Sequence, residues 1–307
     1  MLVFRGFSRP APRATALTIG NFDGVHLGHR ALLERLRVVA GDEGLLPAVL
    51  TFEPHPRDFF SPREAPVRLS TLREKLEMLA EESVALSCVS RFTARFAALS
   101  AQEFIERILV GALKAGYLIV GDDFRFGAGR AGDFGELCAA GKRHGFRVER
   151  MRSVTQDGER VSSSMVRAAL AAGEMERAAR LLGRPYALDG RVVHGDKLAR
   201  GLGFATANIR VKHDPPPLSG VFAVEVRGLG DGPHRGVANL GVRPSARQAA
   251  RPLLEVHLFD FCADIYGAHL NVRFRHKLRN EKRFSSFADL QAQIARDIES
   301  ARQYFKH

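Results

Sequence analysis

The feature that most limits what this chain can fold into is a change of rhythm near residue 185. From residue 14 to 182, short β-forming runs (ATALTI, LPAVLTF, ALSCVS, YLIVG, FRVERM) alternate with amphipathic stretches. That alternation predicts a parallel sheet covered by helices. Two of the helical stretches open on capping boxes, Thr71 with Glu74 and Ser100 with Glu103. A last helix runs from about Ser163 to Leu182, where GRPY stops it. From Ala187 the β runs crowd together with turn residues between them (LDGRVVH, GVFAVEVRG, GVANLG, LLEVHLFDF, HLNVRFR), which predicts a small antiparallel barrel. A helix beginning near Ser285 closes the chain, with Phe287, Leu290, Ile294, Ile298 and Ala301 as its apolar stripe, packing on the barrel or the first domain. Two domains are therefore expected, 1–182 and 185–307.

Composition narrows the class. With 307 residues, 45% of them hydrophobic, the chain buries a sizeable core, and no internal repeat is visible. Cys88, Cys138 and Cys262 are far apart and form no C-x-x-C pair, so neither a disulfide framework nor a zinc cluster is indicated and a reducing cytoplasm is expected. The opening MLVFRGFSRPAP is broken by Arg5 and prolines before any leader-like apolar run develops, and no run reaches membrane-spanning length. The net charge of +12 suits polyanionic partners, but it is dispersed. RHKLRNEKR, the densest basic stretch, is interrupted by a glutamate, so nucleic-acid binding is disfavoured; polyanionic small substrates or simply a solvated basic surface account for the charge.

In an open parallel sheet ligands bind beyond the carboxyl ends of the strands. Four unusual stretches fall there: GNFDGVHLGH after the first predicted strand, TFEPHP after the second, GDDFRFG after the fourth and SSSMVR beyond the fifth. Gly20, Gly24 and Gly28 allow close approach of backbone to a ligand, and a helix starting near Gly28 presents N–H groups to phosphate. His26 and His29 at that mouth suit hydrogen-bond donation to phosphate oxygens as charge builds during in-line attack. Two surface or capping histidines remain the alternative; the pair lacks the glutamate and spacing of a zinc motif. GAGRAG at 127–132 satisfies the dinucleotide pattern, but DDFRF separates it from its strand. A flexible glycine loop or a flap over the nucleotide fits it equally.

In the second half, phosphoryl transfer needs a metal to spread phosphate charge and a base for the attacking alcohol. Thr206 and Asn208 offer oxygen ligands suited to Mg²⁺, and Glu255 offers a base. In LLEVHLFDF, alternation puts Leu253, Glu255 and His257 on one face, with the carboxylate expected to face into the barrel mouth. Ordinary turn residues and a solvated strand glutamate are the alternatives.

These stretches also carry a resemblance. GNFDGVHLGH looks like the H-x-G-H signature of the nucleotidyltransferase superfamily, and with TFEPHP, VGDDFRFG and SSSMVR it resembles the adenylyltransferase module of bacterial bifunctional riboflavin kinase/FAD synthetases. GFATANI, GVANLGVRPS and LEVHLFDF are similar to the riboflavin kinase module of the same family. The resemblance spans nearly the whole chain. It implies a Rossmann-like α/β nucleotidyltransferase domain followed by a small antiparallel β-barrel kinase domain with a C-terminal helix. It further implies phosphorylation of riboflavin to FMN and adenylylation of FMN to FAD with release of pyrophosphate, with ATP as co-substrate and Mg²⁺ as cofactor.

By that resemblance His26, His29 and Asn21 bind and activate ATP, with Gly20, Asp23 and Gly28 in the same nucleotide-binding loop. Ser163, Ser164 and Arg167 grip phosphates, Ser164 standing where the family usually has threonine. Pro54, Pro56, Phe60 and Asp123 line the flavin pocket. Thr206 and Asn208 bind nucleotide and Mg²⁺, and Glu255 is the catalytic base. Ala205 replaces the usual proline before the threonine and Ala199 the usual glycine before Arg200, which predicts altered affinity sooner than lost activity. Implied partners are ATP, riboflavin and FMN, with apo-flavoproteins downstream and neither nucleic acid nor membrane. The rival readings are another adenylyl- or cytidylyltransferase with the barrel as a binding module, a basic nucleic-acid-binding protein related to class I aminoacyl-tRNA synthetases, and a flavin carrier without catalysis.

Overall fold

The computed structural model describes residues 1–194, 206–230, 232–242 and 252–306. It separates into two compact units, one of residues 1–66 and 72–162, the other of 67–71 and 163–307.

The first unit is built on a six-stranded, wholly parallel sheet of order β1-β4-β3-β2-β5-β6. Its strands are β1 (Leu2–Arg5), β2 (Thr15–Ile19), β3 (Leu46–Phe52), β4 (Leu86–Ser90), β5 (Ala115–Gly121) and β6 (Arg147–Met151). The connections carry α1 (Leu27–Asp42), α2 (Pro56–Phe60), α3 (Leu72–Glu81), α4 (Ala94–Ala97), α5 (Ala101–Glu103) running into a π-helical stretch Phe104–Ala112, and α6 (Phe134–His144). β2 reads as an apolar run without alternation because both its faces are covered: all five residues are buried. On one face Leu17, Leu50 and Leu118 pack with Ile105 and Leu109. On the other Ala16, Val49 and Ile119 pack with Leu33 and Leu36 of α1. The Ser100/Glu103 capping box forms as expected, with Ser100 Oγ accepting from Glu103 N–H (3.1 Å). Burial pushes the Cys88 thiol up to about 12, which leaves it protonated and inert. A two-stranded ribbon of β7 (Thr155–Gln156) and β8 (Glu159–Arg160) follows β6.

The second unit begins with α7 (Ser163–Ala172) and α8 (Met175–Leu182), divided at Gly173 (φ 83°) where a single helix was expected. Its barrel is closed, in the order β10-β13-β12-β11-β14-β9. The strands are β9 (Ala187–Val193), β10 (Ala207–Val211), β11 (Gly220–Arg227), β12 (His234–Val242), β13 (Pro252–Leu258) and β14 (His269–Arg279). Leu188, Ile209, Phe222, Val224, Leu240, Leu254, Val256, Val272 and Phe274, all at most 1% exposed, fill its interior. A six-stranded barrel is narrow enough to be closed by its own side chains.

The closing helix, α9 (Phe287–Tyr304), is N-capped by Ser286 and lays Ala301 and Ile298 on Val221, Ala223, Val237 and Phe259 of the barrel's outer surface. Phe287, expected on the packing stripe, is 66% exposed. An ion pair adds to this apolar contact. Arg279 Nε donates to both oxygens of the buried Asp297 carboxylate (2.9 and 3.1 Å), and Nη2 donates at 2.7 Å. Breaking one partner of such a pair strands the other charge, so Asp297→Ala is expected to cost about 3 kcal/mol of barrel stability. Calorimetry of the variant checks this as a lowered melting transition.

Candidate active sites

Because every strand of the first sheet is parallel, the loops after β2, β3, β4, β5 and β6 all emerge at one edge. The loop after β2 is tightly wound. Gly20 N–H donates to Leu50 O (3.0 Å), and Phe22, Gly24 and Val25 take positive φ values of 49°, 80° and 38°. Such a backbone costs a non-glycine residue about 1–2 kcal/mol, and burial of the Phe22 and Val25 side chains, each 1% exposed, offsets it. The wound turn delivers His26 to the N-cap of α1, where its Nδ1 accepts from His29 N–H (3.3 Å). A ring nitrogen that accepts carries no proton, so the neutral His26 ring holds its N–H on Nε2. The two imidazoles stack with centroids 3.7 Å apart and planes 17° from parallel, and Phe22 packs against His29 at 4.9 Å. A side chain at position 28 would press on the His26 ring at 3.2 Å, which accounts for Gly28. His26 is thus a capping histidine whose ring also stacks on that of His29.

These residues open on a cavity of about 800 Å³. Gly20, Asn21, His26, Gly28 and His29 line it, as do Pro56, Phe60 and Asp123; the exposed Pro54 and the buried Asp23 are not among its lining residues. Phe22, Phe52, Phe60, Phe92, Phe96, Phe104, Phe124 and Phe126 make the lining strongly aromatic. That is eight of the chain's 21 phenylalanines, a concentration that suits a large planar ligand. The Asp123 carboxylate is taken by Arg160 Nη2 (2.9 Å). Hydrogen bonds from Ser153 hold the neighbouring Asp122 below the usual carboxylate range. The loop 127–132 lies between β5 and α6, whose N-cap is Asp133. Phe126 and Gly132 bridge to each other, Ala128 N–H donates to Leu99 O (2.7 Å), and the backbone turns through Gly129 and Arg130 at positive φ (61° and 60°).

In the second unit Ser163 opens α7, Ser164 is exposed, and Arg167 Nε donates to Val67 O (2.6 Å). In the barrel, β13 pairs Glu255 with Asn208 of β10 on one side and with Asn239 of β12 on the other. Cross-strand partners share a face, so Asn208, Glu255 and Asn239 form one polar row. Thr206 stands one residue before β10.

That face is the outer one, which corrects the expectation that Glu255 points into the barrel mouth. The alternation itself is as read, with Leu254, Val256 and Leu258 buried and Leu253, Glu255 and His257 half-buried. The close-packed interior simply has no room for a carboxylate. Glu281, just past β14, adds its carboxyl beside this row, in the space a side chain at Gly241 would need. Burial of that carboxyl end holds it above the usual range, Arg279 opposing and Glu255 reinforcing the shift. Ala199 and Ala205 lie outside the described residues.

Sequence reasoning missed Asn239, Glu281, His55 and most of the phenylalanine wall. His55, 7% exposed, N-caps α2 and lines the cavity. A sequence signal existed for the wall alone: phenylalanine outnumbers tyrosine 21 to 4 and tryptophan is absent.

Comparison with known proteins assigns the two halves separately. A family model for FAD synthetase matches residues 8–165, and one for riboflavin kinase matches residues 182–305. The chain is 49% identical to the bifunctional riboflavin kinase/FMN adenylyltransferase of Escherichia coli (strain K12), over 99% of this chain and 98% of that one. The Pseudomonas fluorescens protein of the same description is 48% identical over 96% of this chain and 94% of its own. Among solved structures, one described as a macrolide-efflux protein from Streptococcus pneumoniae superposes with a TM-score of 0.85 at 26% identity, covering 98% of this chain and 99% of that one. With relatives this similar from end to end, and both halves matched in the same order, the chain belongs to the bifunctional riboflavin kinase/FMN adenylyltransferase family.

Proposed function

We propose that the chain carries out both reactions of its family, with the adenylyl-transfer chemistry in domain 1–182 and the kinase chemistry in domain 185–307. The observation that carries the first assignment is the stacked His26/His29 pair at the start of α1, opening on a phenylalanine-lined cavity. An FMN phosphate oxygen attacks the α-phosphorus of ATP, and pyrophosphate leaves. His29 and the Nε2–H of His26 donate to the phosphate oxygens as charge accumulates, with no covalent intermediate on the protein. Gly20, Asn21, Asp23 and Gly28 shape the nucleotide loop, and Ser163, Ser164 and Arg167 contact phosphate. Pro54, Pro56, Phe60 and Asp123 contact the flavin.

In the barrel the riboflavin 5′-hydroxyl attacks the γ-phosphorus of ATP, Glu255 accepts the hydroxyl proton and ADP leaves. The oxygens of Thr206 and of Asn208, the latter paired across from Glu255, suit Mg²⁺ shared with nucleotide phosphates. When bound there, the metal neutralises charge on the β- and γ-phosphates. The protein works in the cytoplasm and hands FAD and FMN to apo-flavoproteins. An efflux role has less support: among the described residues no helix is long and apolar enough to cross a membrane.

Incubation with riboflavin, ATP and Mg²⁺, followed by chromatography, is the test, with FMN and then FAD expected to appear. Failure of a folded protein to form either product would overturn the proposal for the corresponding domain.

A further inference from the structure

The loop GAGRAG, which neither reaction has so far used, holds an arginine in an uncommon backbone state. Arg130 has φ 60°, in the left-handed region that glycine favours. The loop is fastened on every side. Phe126 N–H donates to Gly132 O (3.2 Å), Gly132 N–H to Phe126 O (2.9 Å), and Arg130 N–H to Gly127 O (3.0 Å). Gly127 (φ 74°) lies so close to Ala101 that a Cβ there would fall 2.8 Å from its backbone nitrogen. Arg130 lines the aromatic cavity, four residues beyond Phe126. Arg125 and Arg160, in the same lining, have carboxylate partners. Among the described residues, the guanidinium groups of Arg130, Arg57 and Arg152 have none, and all three arginines line the cavity.

A cavity walled by phenylalanine holds a flavin ring whether or not the ribityl chain ends in phosphate, so the wall cannot tell FMN from riboflavin. A guanidinium can: it pairs in bidentate fashion with a phosphate dianion and gains little from a neutral hydroxyl. Resting on the adenylyltransferase reading of this cavity, we propose that Arg130 grips the phosphate monoester of FMN and is the residue by which this site selects FMN over riboflavin. Arg57 and Arg152 strengthen the field around it.

The test uses the full-length enzyme and the variants Arg130→Ala, Arg130→Lys and Arg130→Gly. With FMN and ATP as substrates, the alanine and glycine variants are expected to raise the KM for FMN about tenfold, the loss of one charge-assisted contact. Lysine should recover part of it. The KM for ATP, FMN formation from riboflavin, and inhibition by lumiflavin, which keeps the ring and lacks the phosphate, should stay within twofold of wild type. The glycine variant should melt no lower than wild type, since glycine adopts φ 60° freely, which separates phosphate reading from a structural role. A KM for FMN within twofold of wild type overturns the assignment, as does a rise confined to ATP, which would give the guanidinium to the triphosphate. Absence of FAD formation by the wild-type enzyme overturns the adenylyltransferase reading and the assignment with it.

Discussion

Replacing His29 with alanine lowers FAD formation by about 10²–10³-fold, the usual consequence of removing one preorganised donor to a developing oxyanion, and leaves FMN formation from riboflavin unchanged. The size follows from how the imidazole is held. His26 stacks on the His29 ring at 3.7 Å and Phe22 packs against it at 4.9 Å, so the ring is in place before ATP arrives. Preorganised donors spend no free energy reorienting during the reaction, which is why losing one is costly. The loss should fall on kcat, because the charge it meets develops in the transition state. The selectivity follows from the chain dividing into two compact units, with His29 in the first and Glu255 in the second. Separate assays of FMN and FAD production on the same preparation decide it. An equal fall in both, with the circular dichroism spectrum intact, would mean that the two reactions do not have separate sites.

How far the sequence exposed this design differs between the halves. In the first, five strands were legible because each is an apolar run bounded by turn residues, and the parallel topology then located the site at the carboxyl edge. The edge strand β1 was not legible: Leu2–Arg5 is four residues long and mostly exposed, so it has neither the length nor the periodicity of a buried strand. In the barrel, β10 was missed although ANIRV is a fair strand, because the segment before it reads as a loop. That omission mattered, since β10 closes the barrel and turns Asn208 from a turn residue into the cross-strand neighbour of Glu255. Alternation in β13 told which residues share a face with Glu255. Which face looks inward depended on the closure, which no local pattern contains. The phenylalanine wall was invisible for a related reason: Phe52, Phe92, Phe104 and Phe126 lie on four separate segments and meet only when the sheet is assembled.

The second large effect belongs to Glu255. Substitution by glutamine keeps the shape and hydrogen-bonding length of the side chain and removes only its capacity to take a proton. General-base removal of this kind costs about 10²–10⁴-fold, so Glu255→Gln is expected to lower riboflavin phosphorylation by that factor while FAD formation from supplied FMN proceeds normally. The outer-face position is what makes the residue usable. Within the barrel a carboxylate would face Leu254, Val256 and their neighbours with no water to solvate it. On the outside, half-buried between Asn208 and Asn239, it can meet an incoming alcohol. Asn239→Ala supplies the control, because it perturbs the row without touching the base. It should slow FMN formation less than Glu255→Gln does. Retention of full kinase activity by the glutamine variant would remove Glu255 from the chemistry and leave the polar row as an ordinary solvated strand surface.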